Sequence, residues 1–327
     1  MNILLESIEQ ADTIAIAGHL RPDGDCIGSC MGLYSYITQN YPEKKAAVYL
    51  SDFPEAFHYL KAEEAFTPCC LPEKGERYDL FVSLDCGDAD RLEEVADIMK
   101  LAKQVVNIDH HITNTNFGNE NYVVSDASST SQILYTLLED EKISFETACA
   151  LYTGIIHDTG VFKHSNTSSE TMRIAGKLMD KGIPFGKIID GSFYMKSYKQ
   201  LQIMGRCLME SVRIMDGRCI FSIVRKNILE LYNAVSSDLD GIIDEMRTTE
   251  GIEVAILLRE EGPQEYKVSM RSNDVIDVST IACYFGGGGH VRAAGCTIKG
   301  DAFDVINNLT QHIEKQFVDA GKPENVE

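Results

Sequence analysis

Residues 105–114 read VVNIDHHITN. An apolar strand runs up to Ile108 and ends abruptly in Asp109, His110 and His111. Three other segments carry the same residue types at an element end. GHLRPDGDCIGS holds His19, Asp23 and Asp25, LDCGD holds Asp85, and GIIHDTGVF holds His157 and Asp158. Each is ordinary alone. An Asp after a strand is usually a helix N-cap or turn former, and Asp88 and Asp126 keep that reading. A lone His19 reads as a satisfied core histidine, PDGD as a turn, and DHH as a polar loop. Together they are hard to explain as turns. Carboxylates packed this closely repel one another and raise each other's pKa. Cations remove that conflict.

Carboxylate and imidazole donors, with no cysteine at these positions, suit Mn²⁺ first, then Fe²⁺, Co²⁺ and Mg²⁺, over a structural zinc. Two such ions roughly 3.5 to 4 Å apart are the usual device for in-line displacement at phosphorus, with a carboxylate bridging them.

The segments need elements that bring them together. TIAIAGH, AAVYLS, LFVSLDC and QVVNIDHH read as strands, with helical stretches after them. That alternation predicts an α/β domain whose mostly parallel sheet is flanked by helices. In such a sheet the carboxyl ends of the strands lie along one edge, where ligands bind. The polar strand tips then face one shared site. Residues 129–181 read as helical. Residues 182–197 mix Gly, Pro and alternating polarity and read as the domain connection. Beyond it, three strands (RCIFSIVR, IEVAILLRE, YKVSMRS) and two helices predict a smaller C-terminal α+β domain, with the active-site cleft between the two. The expected division is 1–185 catalytic, 186–208 connecting helix, 209–317 substrate-binding and 318–327 disordered tail.

The chain of 327 residues has 10 cysteines and a net charge of -20. Residues 1–185 hold 14 Lys+Arg against 29 Asp+Glu, so the acid concentrates there. Long-range attraction to a nucleic-acid polymer is not expected. The cysteines, among them the adjacent Cys69 and Cys70, form no metal or disulfide framework and read as reduced, packed thiols. No apolar run is long enough to span a bilayer. The short acidic N-terminus reads as a helix and not a signal peptide, so the expected location is the cytoplasm.

The order and spacing of these motifs resemble the DHH phosphoesterases, over roughly residues 10 to 315. KVSMRSNDVIDVSTIACYFGGGGHVRAAGC resembles their associated C-terminal domain. The two-domain form looks most like the NrnA-type proteins, nano-RNases that also dephosphorylate adenosine 3',5'-bisphosphate (pAp). The resemblance implies that His19 and Asp23 ligate one metal and that Asp25, His110 and Asp158 ligate the other. It implies that Asp85 bridges them. His111 would face the scissile phosphate, stabilising charge or protonating the leaving oxygen, and Asp109 would orient a histidine. It also implies a homodimer. His157 adjoins a ligand but reads as structural, and Lys163 and His164 depart from the relatives, so their roles stay open.

The glycine run has its own physics. Gly287, Gly288 and Gly289 let backbone approach an anion, and His290 and Arg271, with Arg292 behind them, could grip a terminal phosphate. The expected function is therefore hydrolysis of short oligoribonucleotides to nucleoside monophosphates, removal of the 3'-phosphate of pAp, or both. The partner is a short RNA or nucleotide, with no long nucleic-acid groove and no membrane. The same residues would serve a phosphodiesterase of cyclic di-AMP, pApA or pGpG. A RecJ-like exonuclease would want a basic groove and stacking aromatics. A pyrophosphatase would have no use for the glycine run. A nucleotide sensor without catalysis would not need every ligand in place.

Overall fold

The computed structural model describes residues 2–60, the backbone of 66–68, and residues 77–320. Cys69 and Cys70 lie outside the described residues. The chain divides into two compact units, Met1–Met195 and Lys196–Glu327.

The first unit is built on six strands: β1 (Thr13–Ala17), β2 (Lys45–Leu50), β3 (Phe66–Pro68), β4 (Leu80–Leu84), β5 (Gln104–Asp109) and β6 (Glu120–Val123). All pair in parallel, in the order β3-β2-β1-β4-β5-β6. The central strands are apolar on both faces because helices cover both. These are α1 (Ile3–Gln10), α2 (Gly24–Asn40), α3 (Ala96–Leu101), α4 (Thr130–Leu137), α5 (Phe145–Asp158), α6 (Ser169–Asp180) and α7 (Phe185–Ile189). The strand order reverses between β1 and β4, the switch point at which open α/β sheets bind ligands. His19 lies just past β1, Asp85 just past β4, and Asp109 ends β5.

Two of the strands escape the hydrophobic pattern. β6 alternates between exposed and half-buried residues and has no apolar run to betray it. β3 is three residues long.

Helices α2 and α5 bring the remaining site residues together. They cross antiparallel at small residues. A Cβ on Gly28 would sit 2.5 Å from the Ala150 carbonyl oxygen and 2.7 Å from the Gly154 nitrogen, and one on Gly24 would strike the His157 ring. The start of α2, with Asp23 and Asp25, therefore meets the end of α5, with Asp158. Gly28→Val should lower stability by about 1–3 kcal/mol, because backbone cannot yield as a side chain can. A thermal melt checks this, and an unchanged midpoint would mean the two helices separate without cost.

The second unit holds β7 (Val212–Ile214), β8 (Cys219–Val224), β9 (Val254–Gly262), β10 (Glu265–Ser272), β11 (Gly288–His290) and β12 (Ala293–Lys299). Its helices are α8 (Tyr198–Met209), α9 (Lys226–Leu231), α10 (Ile242–Arg247), α11 (Val278–Tyr284) and α12 (Ala302–Ala320). The sheet order is β11-β12-β10-β9-β8-β7, antiparallel except for β8 with β9. Val268, Met270 and Ile256 join α11 and α12 in one core. Ile220, Ala255 and Leu257 join α8 and α10 in the other.

Sequence patterning found only β8, β9 and β10 here. β12 is written in small residues (AAGCTIK), and β11 lies inside the glycine run, where strand propensity is lowest. The terminal helix also runs through Val318, Asp319 and Ala320, three residues into the segment expected to be disordered. Phe317 packs on the core and carries the helix to that point.

Candidate active site

His19 is buried and aimed. Its Nδ1 lies 2.8 Å from the Leu20 carbonyl, which can only accept, so Nδ1 carries the proton and Nε2 turns to the acids. Nε2 stands 3.6 Å from Asp23 Oδ2 and 3.5 Å from Asp85 Oδ2. Asp23 has a second task. Its Oδ1 caps α2, accepting from the Asp25 and Cys26 amides at 3.1 Å. The N-cap reading and the ligand reading of Asp23 are thus compatible, one oxygen for each.

Asp85 is 2% exposed and holds a left-handed backbone, φ +54°, uncommon for a residue with a Cβ. Its amide donates to the Ile108 carbonyl, which ties the end of β4 to β5. Its other oxygen, Oδ1, lies 3.5 Å from His110 Nε2 and accepts from the Thr130 hydroxyl at 3.2 Å. His110 Nε2 in turn lies 3.1 Å from Asp158 Oδ2. Asp25, fully buried, joins His110 and Asp158 in one cluster of donors lying within 4.8 Å of one another. Two groups of ligand-type atoms therefore meet at Asp85, one on each of its oxygens.

The electrostatics match this crowding. Burial and the neighbouring charges of Asp85 and Asp158 push Asp25 well up. Burial pushes Asp158 up as well, against the pull of His110. Burial disfavours a charged His19 and His110, but their carboxylate partners win and raise them to about 10 and about 11. Asp85 goes the other way. Burial opposes its charge, yet hydrogen bonds from His110 and His19 hold it below the ordinary carboxylate range. Asp25, Asp85 and the half-buried Asp158, competing for two imidazoles, are a donor set with charge to spare, which divalent cations fit.

His111 sits at the rim. Its Nδ1 donates to Asp109 Oδ1 at 2.7 Å, and Asp109 Oδ2 accepts from Asn114 Nδ2 at 2.6 Å. The hydrogen bond to Asp109 outweighs partial burial and raises His111. No described residue pairs with Nε2, which can face a substrate. His157 does not join the cluster. Its ring packs between Phe57 and Phe193, its Nε2 meets Ser192 Oγ at 3.1 Å, and burial lowers it to about 4. His164 Nδ1 lies 3.2 Å from the Asp158 carbonyl, and Lys163 is exposed in the same turn.

In the second unit, β-pairing sets a different group on one sheet face. His290 pairs with Ala293, Ala293 with Arg271, and Arg271 with Ala255, so His290 and Arg271 project from the same side. Gly287, Gly288 and Gly289 are not a free loop. A Cβ on Gly289 would meet the Ala293 carbonyl oxygen at 2.5 Å, and its φ is +145°. One on Gly287 would strike the Gly295 carbonyl. These two glycines let β11 lie against β12, and the exposed Gly288 and His290 remain open to a ligand. The Arg292 guanidinium is engaged by the carbonyls of Ile276 and Asp274, where it holds the turn before α11.

Two family models match the chain: the DHH family N-terminal domain over residues 13–155 and the DHHA1 domain over residues 226–319. A bifunctional oligoribonuclease and PAP phosphatase NrnA of Thermus thermophilus is 31% identical, the match covering 98% of this chain and 95% of that protein. The chain belongs to the DHH family. The Bacillus subtilis protein of the same name is 26% identical over 90% of this chain and 92% of its own. A crystal structure of an exopolyphosphatase-related protein from Bacteroides fragilis superposes with a TM-score of 0.81 at 25% identity, covering 96% of each chain.

The DHH domain also uses residues that sequence patterning passed over. The start of α4 donates the Thr130 amide to Asp25 Oδ2 at 2.6 Å and the Ser131 amide to Asp25 Oδ1 at 3.0 Å. These are backbone donors that would serve with almost any side chain. The run SSTSQ after an acid did carry a capping signal, and Ser129 caps α4. Cys26, left out as a ligand, lies with His19 and Asp85 in one donor group, and His111 lies with Asp85 and His110 in another. Burial pushes the Cys26 thiol well up, so it stays a neutral, packed sulfhydryl. Among the described cysteines only Cys283 is exposed, and no described helix is long and apolar enough to cross a membrane.

Proposed function

We propose that the chain is a two-metal phosphoesterase that hydrolyses very short RNA to nucleoside monophosphates and removes the 3'-phosphate of pAp. The observation that carries this reading is the shared Asp85, with Oδ2 toward His19 and Oδ1 toward His110, each at 3.5 Å. His19 and Asp23 would hold one ion, Asp25, His110 and Asp158 the other, with Asp85 between them. Manganese suits the oxygen and imidazole donors. Two such ions, when bound, lower the pKa of water and neutralise charge on the phosphoryl oxygens.

The chain's own residues supply the rest. Asp109 orients the His111 ring and favours its charged form. His111 Nε2 donates to a phosphoryl oxygen, or gives its proton to the leaving oxygen as water adds to phosphorus and the ester bond breaks. Arg271 and His290 bind a substrate phosphate on the DHHA1 sheet. The names of the relatives support the substrate class. The acidic surface supports short substrates, since a chain of net charge -20 offers no field to hold a polymer.

The test is turnover with Mn²⁺ on a dinucleotide, a five-nucleotide RNA, a 24-nucleotide RNA and pAp, with an EDTA control. The short RNAs and pAp should be consumed and the long RNA spared. Rapid loss of the 24-mer, or cleavage of the dinucleotide alone, would contradict this substrate class. His290→Ala should raise KM for the five-nucleotide RNA about tenfold with a smaller change in kcat, the cost of one lost charge-assisted contact. An unchanged KM would remove His290 from the phosphate grip.

A further inference from the structure

The DHHA1 sheet face extends past Arg271. On β10, Lys267, Ser269 and Arg271 alternate onto the same side, and Arg259 on β9 stands directly opposite Lys267. Two cations in one cross-strand pair repel, a pairing that costs stability unless an anion lies between them. Arg259 is partly compensated, donating to Glu261 Oε1 at 2.9 Å and to the Ser236 hydroxyl. The Lys267 side chain makes no hydrogen bond or ion pair among the described residues and is exposed. The three cations line a cavity of about 330 Å³ with Ser236, Asp240 and Asp244 on its other wall. Asp244 lies 3.6 Å from Arg271 Nε and so belongs to that end. Partial burial raises Asp240, against the opposing charge of Lys196. The Lys196 amine stands beside Gly241, another residue of the lining. The Lys267 end is therefore the end with positive charge unspent.

We propose that this cavity is a phosphate subsite for a further backbone phosphate of a bound nucleotide chain, held by Lys267 and Arg259. Four residues of strand put Lys267 about 13 Å from Arg271, which leaves room for more than one phosphodiester along the face. Ser269, Ala293 and Gly295, all small, keep the face open between them. The choice of a nucleotide chain rests on the phosphoesterase reading above, whereas the unspent charge does not. The subsite would give longer oligonucleotides a contact that pAp is too short to share.

The test is calorimetric titration of the full chain in EDTA, where no cleavage occurs, with a five-nucleotide RNA and with inorganic tripolyphosphate. Lys267→Ala should weaken RNA binding about fivefold to tenfold and reduce the slope of log affinity against log salt by about 0.7, one phosphate contact on a single strand. Lys267→Arg should restore both. Unchanged RNA affinity in Lys267→Ala, or no RNA binding by the wild type, overturns the subsite. A loss confined to tripolyphosphate makes the cavity a polyanion site and overturns the nucleotide assignment. The parent reading is judged separately, by wild-type turnover of pAp with Mn²⁺. Failure there, with RNA binding still dependent on Lys267, would remove the hydrolase and leave the subsite.

Discussion

Asp85→Asn should lower kcat by about 10³-fold or more while the protein stays folded. Asparagine keeps the size of the side chain and tolerates the left-handed backbone that Asp85 adopts at φ +54°. It also keeps an oxygen for the Thr130 hydroxyl. What it removes is the charge that faces both imidazoles. Losing a shared anionic ligand costs several kcal/mol of transition-state stabilisation, and each 1.36 kcal/mol is about tenfold in rate. Steady-state kinetics beside a circular dichroism melt checks this. More than a few per cent of wild-type activity in clean, folded protein would sink the shared-carboxylate assignment.

His111→Ala should lower kcat by about 10²- to 10⁴-fold, the usual range for a group that transfers a proton in the transition state. Its effect on KM should be much smaller, since in the proposed scheme Arg271 and His290 would supply binding. The pH profile gives the sharper readout. Asp109 raises His111, so its protonated form prevails below that raised value and is lost as pH climbs through it. Activity should fall on that alkaline limb. Asp109→Asn removes the charge that holds the proton, so the limb should move to lower pH. A limb that stays in place in Asp109→Asn would mean that the titrating group is not His111.

The candidate DHH site was legible because carboxylates and imidazoles are costly to place at strand tips without a reason. QVVNIDHH moves from an apolar strand to an acid and two imidazoles within three positions, and LFVSLDCGD breaks as abruptly at Asp85. A parallel sheet aligns its carboxyl ends, so three such breaks point to one edge, and the end of α5 adds Asp158. The supports of the site were harder to read. Asp25 is held by the amides of Thr130 and Ser131, and a backbone donor leaves no mark in residue types. Asn114, which orients Asp109, is one polar residue in a polar loop. In the DHHA1 domain the physics of glycine pointed two ways. The expected approach was of backbone to an anion, whereas the approach at Gly287 and Gly289 is to β12, and strand pairing follows from it. Lys267 and Arg259 each look like ordinary surface charge. Only the register that sets them opposite one another gives them meaning.

The most direct measurement is the stoichiometry and magnetic coupling of Mn²⁺ bound to the metal-free protein, followed by titration with electron paramagnetic resonance. Two ions per chain should bind, with an exchange-coupled spectrum that only a shared ligand bridge provides, and Asp85→Asn should lose the coupling. A single ion per chain, or two that never couple, would contradict the account that Asp85 joins two metal sites.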